Sequence, residues 1–219
     1  MNEHIEDFAH FFVCCFSITG EDLGQWRAYA DDGRGYAIGF DAGVLETAFI
    51  KASSSTLNQA STFPVTYKDE NLCEIFEQLV AETIPAISAT QGMGLKSEGI
   101  NKFLHLLSVN LALQFCSTSL LFKHEAYSNE KEYRFLQIFP YDKPVPELKL
   151  KSQPYSMVRY REFDWKGVAA DSLKELVVGP ASDPKIGYKF ANDCLCEFLP
   201  DVESVAIKRS EIPYTSVRR

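Results

Sequence analysis

"FFVCCFSITGEDLGQWRAYADDGRGYAIGF", residues 11–40, changes its hydrophobic period twice and so decides the fold class. Residues 11–17 are apolar and aromatic as far as Ser17 and read as a buried strand. Thr19 stands three residues before Asp22 in capping-box spacing, and Leu23, Trp26 and Ala30 recur at helical intervals, which predicts a short helix from about Gly20 to Ala30. Asp31, Asp32 and Gly33 end it. Tyr36, Ile38 and Phe40 then alternate with Gly35, Ala37 and Gly39, a strand with one bulky face and one nearly bare face. A bare face admits close approach, either of a ligand or of another helix or strand. These glycines precede and occupy a strand, whereas the dinucleotide-binding GxGxxG pattern opens a helix, so they fit a Rossmann reading poorly.

Working outward, residues 41–51 read as a helix, "SSSTLNQAST" (53–62) as a polar loop, and "FPVTY" (63–67) as a strand. Residues 69–84 place Leu72, Ile75, Phe76, Leu79 and Val80 at helical spacing, with Pro85 expected to end the helix. Residues 97–122, apolar almost all round, are expected to form a central buried helix containing His105. Ser117, Thr118 and Ser119 lie within it, where hydroxyls back-bond to the helix, and His124 near its end has no ligand partner at metal spacing. "LKELVVGP" (173–180) is a strand and turn, 184–199 a helix, and "VESVAIKRSEIPY" (202–214) a last strand. Without an internal repeat or a low-complexity linker, the chain reads as one α+β domain over 1–219, a mixed, largely antiparallel sheet with packed helices.

Composition narrows the function classes. A chain of 219 residues, 46% hydrophobic and 24% charged, can bury a core of its own. A net charge of -8 argues against coating duplex DNA, which needs clustered Lys and Arg. No apolar run reaches a membrane span and the first residues have no basic region of a secretion signal, so the expected address is cytoplasmic, with no membrane partner. The six cysteines form no CxxC pair and have no histidine at zinc spacing; free, mostly buried thiols and no metal are expected.

Chemistry concentrates in "NEKEYRFLQIF" (129–139), whose alternation predicts a strand with Glu130, Glu132, Arg134 and Leu136 on one face. Two carboxylates so placed can divide labour, one stabilising a developing cation and the other orienting a nucleophile. An ordinary ion-paired strand, Glu132 to Arg134, explains the same pattern.

"CFS" (15–17), "QWRAYADDGRGYAIGFD" (25–41), "EKEYR" (130–134), "ELVVGP" (175–180) and "SEIPY" (210–214) together resemble the successive signatures of a bacterial domain-of-unknown-function family. That family in turn resembles distant ADP-ribosyltransferases, whose compact split sheet binds NAD and transfers ADP-ribose to a protein, nucleic acid or small molecule. The resemblance implies Glu132 and Glu130 as the catalytic pair, with Glu132 holding the nicotinamide ribose and stabilising an oxocarbenium-like transition state. It implies NAD as substrate, with Ser17 beside the nicotinamide and Arg27, Trp26 and Tyr29 lining the same cleft, Arg27 toward a phosphate. Family members begin with a segment resembling "LYHYTS"; the chain is therefore expected to be an N-terminally shortened member. A non-catalytic interaction module, and a hydrolase using the same carboxylates on another glycosidic bond, are the competing expectations.

Overall fold

The computed structural model describes residues 9–53, 59–91, 97–141, 143–199 and 204–215. In chain order the elements are β1 (Ala9–Ser17), α1 (Leu23–Tyr29), β2 (Tyr36–Phe40), α2 (Ala42–Ser53), β3 (Gln59–Pro64), α3 (Asp69–Gln91) and α4 (Ser97–Ser119). A 3₁₀ helix (Glu125–Glu130) precedes β4 (Glu132–Pro140), and then come β5 (Lys149–Gln153), β6 (Ser156–Tyr160), α5 (Ala169–Ser172), β7 (Leu173–Val178), α6 (Pro184–Phe198) and β8 (Ala206–Arg209).

The strands form two three-stranded sheets and a separate ribbon. β4 is central in the first, antiparallel to β1 and to β3. In the second, β7 runs antiparallel to β2 and parallel to β8, so the fold is α+β with mixed sheets. Alternation along the first sheet turns Phe16, Tyr133 and Phe135 onto Leu45 and Phe49 of α2. On the second sheet Leu173 and Leu176 pack against Ala191 and Leu195 of α6. Phe40 and Trp165 touch both clusters, which joins the two layers into one domain. α6 starts with the Asp183 side chain accepting from the Ile186 N–H at 3.0 Å and Pro184 in its first turn, a favourable start because that proline has no N–H to leave unpaired. It comes so close to β7 that a Cβ on Gly187 would lie 2.5 Å from Val178 Cγ1.

The two glycine-bearing signatures and "SEIPY" meet in one clasp. Asp31, Asp32 and Gly33 all have positive φ (47°, 54° and 83°), and the loop they make offers its carbonyls to the turn after β7: Gly179 N–H donates to Gly35 O and Ala181 N–H to Gly33 O, both at 2.9 Å. Tyr214 packs against Gly33 and donates its hydroxyl to Asp32 at 2.8 Å. Close approach marks two further glycines: a Cβ on Gly39 would sit 2.5 Å from Glu175 Cγ, and one on Gly35, just before β2, 3.1 Å from Ala30.

Several expectations are corrected. β1 is not a buried strand: it is an edge strand, and Val13, Cys14 and Cys15 are exposed. The six thiols are free as expected, but none is fully buried. α1 begins at Leu23, because Asp22 rather than Thr19 caps it, accepting from Gln25 N–H at 2.8 Å. Residues 59–62 of the expected loop belong to β3; 54–58 lie outside the described residues. Pro85 does not end α3, which continues to Gln91; the carbonyl it frees, on Ala81, lies on an exposed stretch where water can satisfy it. α4 is not central: none of its residues is buried, His105 is exposed, and its packing partner is α3, through Phe76 and Phe115 at 4.8 Å. Ser117 and Ser119 do back-bond, to Leu113 O and Phe115 O. No helix among the described residues is long and apolar enough to cross a membrane.

Candidate functional site

Glu130 is not on a strand. It closes the 3₁₀ helix, Lys131 turns the chain with φ 44°, and the strand starts at Glu132. The two carboxylates converge nevertheless, because Lys123, just beyond α4, donates to Glu130 Oε2 at 2.5 Å and to Glu132 Oε2 at 3.0 Å. From the other side Arg134 grips Glu132 with two N–H groups, Nε to Oε1 at 2.7 Å and Nη2 to Oε2 at 3.2 Å, while its Nη1 donates to Leu120 O. The Cys15 thiol stands across the sheet from Arg134, on the same face as the Glu132 carboxylate. Ser17 stands directly opposite Glu132 in register and donates to the Glu130 carbonyl at 2.8 Å.

Electrostatics follow from that cage. Glu132 is only 5% exposed, and burial alone would raise its pKa. The hydrogen bonds from Arg134 and Lys123 outweigh burial and bring it down to about 2. For Lys123, burial would lower the pKa, but the two carboxylates raise it. Burial, and then the neighbouring carboxylate, push the Cys15 thiol up to about 11, so it is a poor nucleophile near neutral pH. The cluster therefore holds a fixed anion suited to stabilising positive charge; it is not poised to exchange protons near neutral pH.

A cleft of about 500 Å³ opens between the two three-stranded sheets. Its walls are Phe16, Tyr133 and Phe135 on one side, Tyr36 to Phe40 on the other, with α1 and α2 at the ends. Ser17, Trp26 and Tyr29 all line it, so three of the four residues assigned to cofactor binding share one cavity. Arg27 does not: its side chain is 62% exposed and pairs with Asp32 at 3.4 Å. Glu132 also lies off the cleft lining, because Tyr133 and Phe135 occupy the cleft side of β4 and alternation sends Glu132 and Arg134 to the opposite face. Glu130 instead borders a smaller hollow with Tyr29, Asp22 and Asn129 between α1 and the 3₁₀ helix. The expected site is thus divided between two faces of one sheet, with Ser17 at the margin of both.

Lys123 was not legible as a site residue, since it stands nine residues from Glu132 in a separate element. The signal available was its isolation, as the one Lys or Arg between Lys102 and Lys131. Glu46 of α2, which reaches the cleft beside Tyr133, gave no signal at all. Among the described residues no group of His, Cys, Asp and Glu could hold a metal ion.

Comparison with known proteins adds one finding. The model of a family described as proteins of unknown function (DUF2971) matches residues 25–135, just over half of the chain, from α1 into β4. The chain belongs to that family. No curated protein and no solved structure matches it.

Proposed function

We propose that this DUF2971 member is an ADP-ribosyltransferase-like protein that takes NAD as donor substrate and works from the face of the first sheet carrying Cys15, Ser17 and Glu132. The observation that supports this most is the Glu132 carboxylate, ionised to about pH 2 while 5% exposed, with Ser17 opposite it in register. A buried anion with preset orientation is what an oxocarbenium-like transition state requires, because the charge is stabilised without reorganising solvent at the moment of reaction. Glu130, 22% exposed at its side chain and tied to Glu132 through Lys123, is the carboxylate better placed to meet an incoming protein, nucleic-acid or small-molecule acceptor. The fit to NAD is partial. Glu132 and Ser17 suit ribose hydroxyls, whereas no Lys, Arg or His among the described residues lines the cleft, so the diphosphate of the donor has no counter-charge there.

A second reading, a non-catalytic binding module, is favoured by one observation: both Glu132 oxygens are already engaged by Arg134 and Lys123. Labelled NAD incubated with the protein and cell lysate separates the two. The transferase reading expects labelled product, lost in Glu132→Gln and reduced in Glu130→Gln, with thermal melting checking that both variants are folded. Equal labelling by wild type and both variants removes the assigned roles. No labelling, together with no heat of NAD binding, leaves the binding module.

A further inference from the structure

The cleft between the sheets has a chemistry that the carboxylate cluster does not use. Its lining is aromatic, with Phe16, Phe40 and Tyr133 around the middle and Trp26 and Tyr29 at the α1 end, whereas the Tyr36 ring turns to α6, where its hydroxyl donates to Gly187 O at 3.2 Å. Two carboxylates reach it, Glu46 and Glu175, and no Lys, Arg or His among the described residues does. Glu175 is partly neutralised from outside by Lys208 at 2.7 Å, while Glu46 makes no ion pair with any described residue. Faces of aromatic rings attract cations through their quadrupole, and a carboxylate among them adds a full opposing charge.

We infer that this cleft is a binding site for a small organic cation, an amine or quaternary ammonium bearing a flat group, with its charge near Glu46 and its body between Phe16, Phe40 and Tyr133. The volume of about 500 Å³ accommodates a ligand of that kind and falls in the usual range for small-molecule sites. The site is distinct from the Glu132 face and stands whether or not the protein transfers ADP-ribose. Raised by burial and by the Glu46 carboxylate, the Tyr133 phenol stays protonated and keeps its hydroxyl beside that carboxylate.

The experiment uses the full chain and benzyltrimethylammonium chloride as probe, with sodium benzoate as the anionic control. Calorimetry reads binding, and intrinsic fluorescence reads location, since of the two tryptophans Trp26 lines this cleft and Trp165 does not. Saturable binding of the cation below about 10 mM is expected, with a fluorescence change and no binding of benzoate. Glu46→Gln should weaken it about tenfold. Ala37→Arg, on the cleft face of β2 opposite Val177, with strand pairing made by backbone, should abolish it without lowering the melting temperature. Absence of saturable binding, equal binding of benzoate, or undiminished binding by a folded Ala37→Arg variant each overturns the inference.

Discussion

Protonating Glu132 should cost this fold a definite amount of stability, and Glu132→Gln should remove that pH dependence. The folded carboxylate titrates at about 2 against an ordinary value of 4.5. A depressed pKa means that the unfolded chain binds the proton first, so the contribution is complete above pH 4.5 and is lost as pH falls toward 2. The full shift corresponds to about 3 kcal/mol, of which about 1.4 kcal/mol is gone by pH 3.5. Urea denaturation of wild type and Glu132→Gln at a series of pH values from 7 to 3.5 measures it. Both proteins lose stability through their other carboxylates, but wild type should lose about 1.4 kcal/mol more. At pH 7 the variant should already be weaker by about 3 kcal/mol, because Arg134, 12% exposed at its side chain, is left without its anion. Parallel curves for the two proteins would refute the cage, and would mean that Arg134 and Lys123 do not hold Glu132 as described.

Asp22→Ala removes the acceptor for Gln25 N–H and should destabilise the fold by about 1 kcal/mol, read by thermal or urea unfolding. Gly179→Ala should be far worse than an ordinary surface change, since its Cβ would lie 2.8 Å from the Gly35 carbonyl, a backbone atom with no room to retreat; loss of several degrees in Tm is expected, and an unchanged Tm would contradict the clasp. At pH 8, Cys15 should alkylate about 100-fold more slowly than an ordinary thiol despite its exposure, because its pKa is near 11 and not 9. Mass-spectrometric mapping after iodoacetamide treatment reads the rate, and Glu132→Gln should speed it.

Local signals carried much of the architecture. The period change across 11–40 yielded β1, α1 and β2 within a few residues, and the strand, turn, helix and strand after 173 appeared as β7, α6 and β8. Alternation also set Tyr133 and Phe135 against Glu132 and Arg134 correctly, because side-chain direction along a strand is a backbone property. The misreadings share a cause. α4 is apolar enough to be central, yet burial depends on what packs across from it, and the contact it has is α3. Pro85 breaks a helix only where the freed carbonyl has no other partner, and Ala81 lies on an exposed stretch. The glycines of 33–39 were read as admitting close approach, of a ligand or of a neighbouring element, and in the fold Ala30, Glu175 and the turn at Gly179 come close to them.

By itself, then, the sequence determined an α+β chain with one strand carrying charge on one side and aromatics on the other, since propensity, capping and period act over a few neighbours. Tertiary structure alone decided that Glu130 and Glu132 meet, through a lysine from a separate element, and that Ser17, Trp26 and Tyr29 share a cleft from which Arg27 and Glu132 are turned away. Those are facts of how two sheets and a helix end pack together, and residues far apart in the chain are brought to one point only when the core they surround has closed.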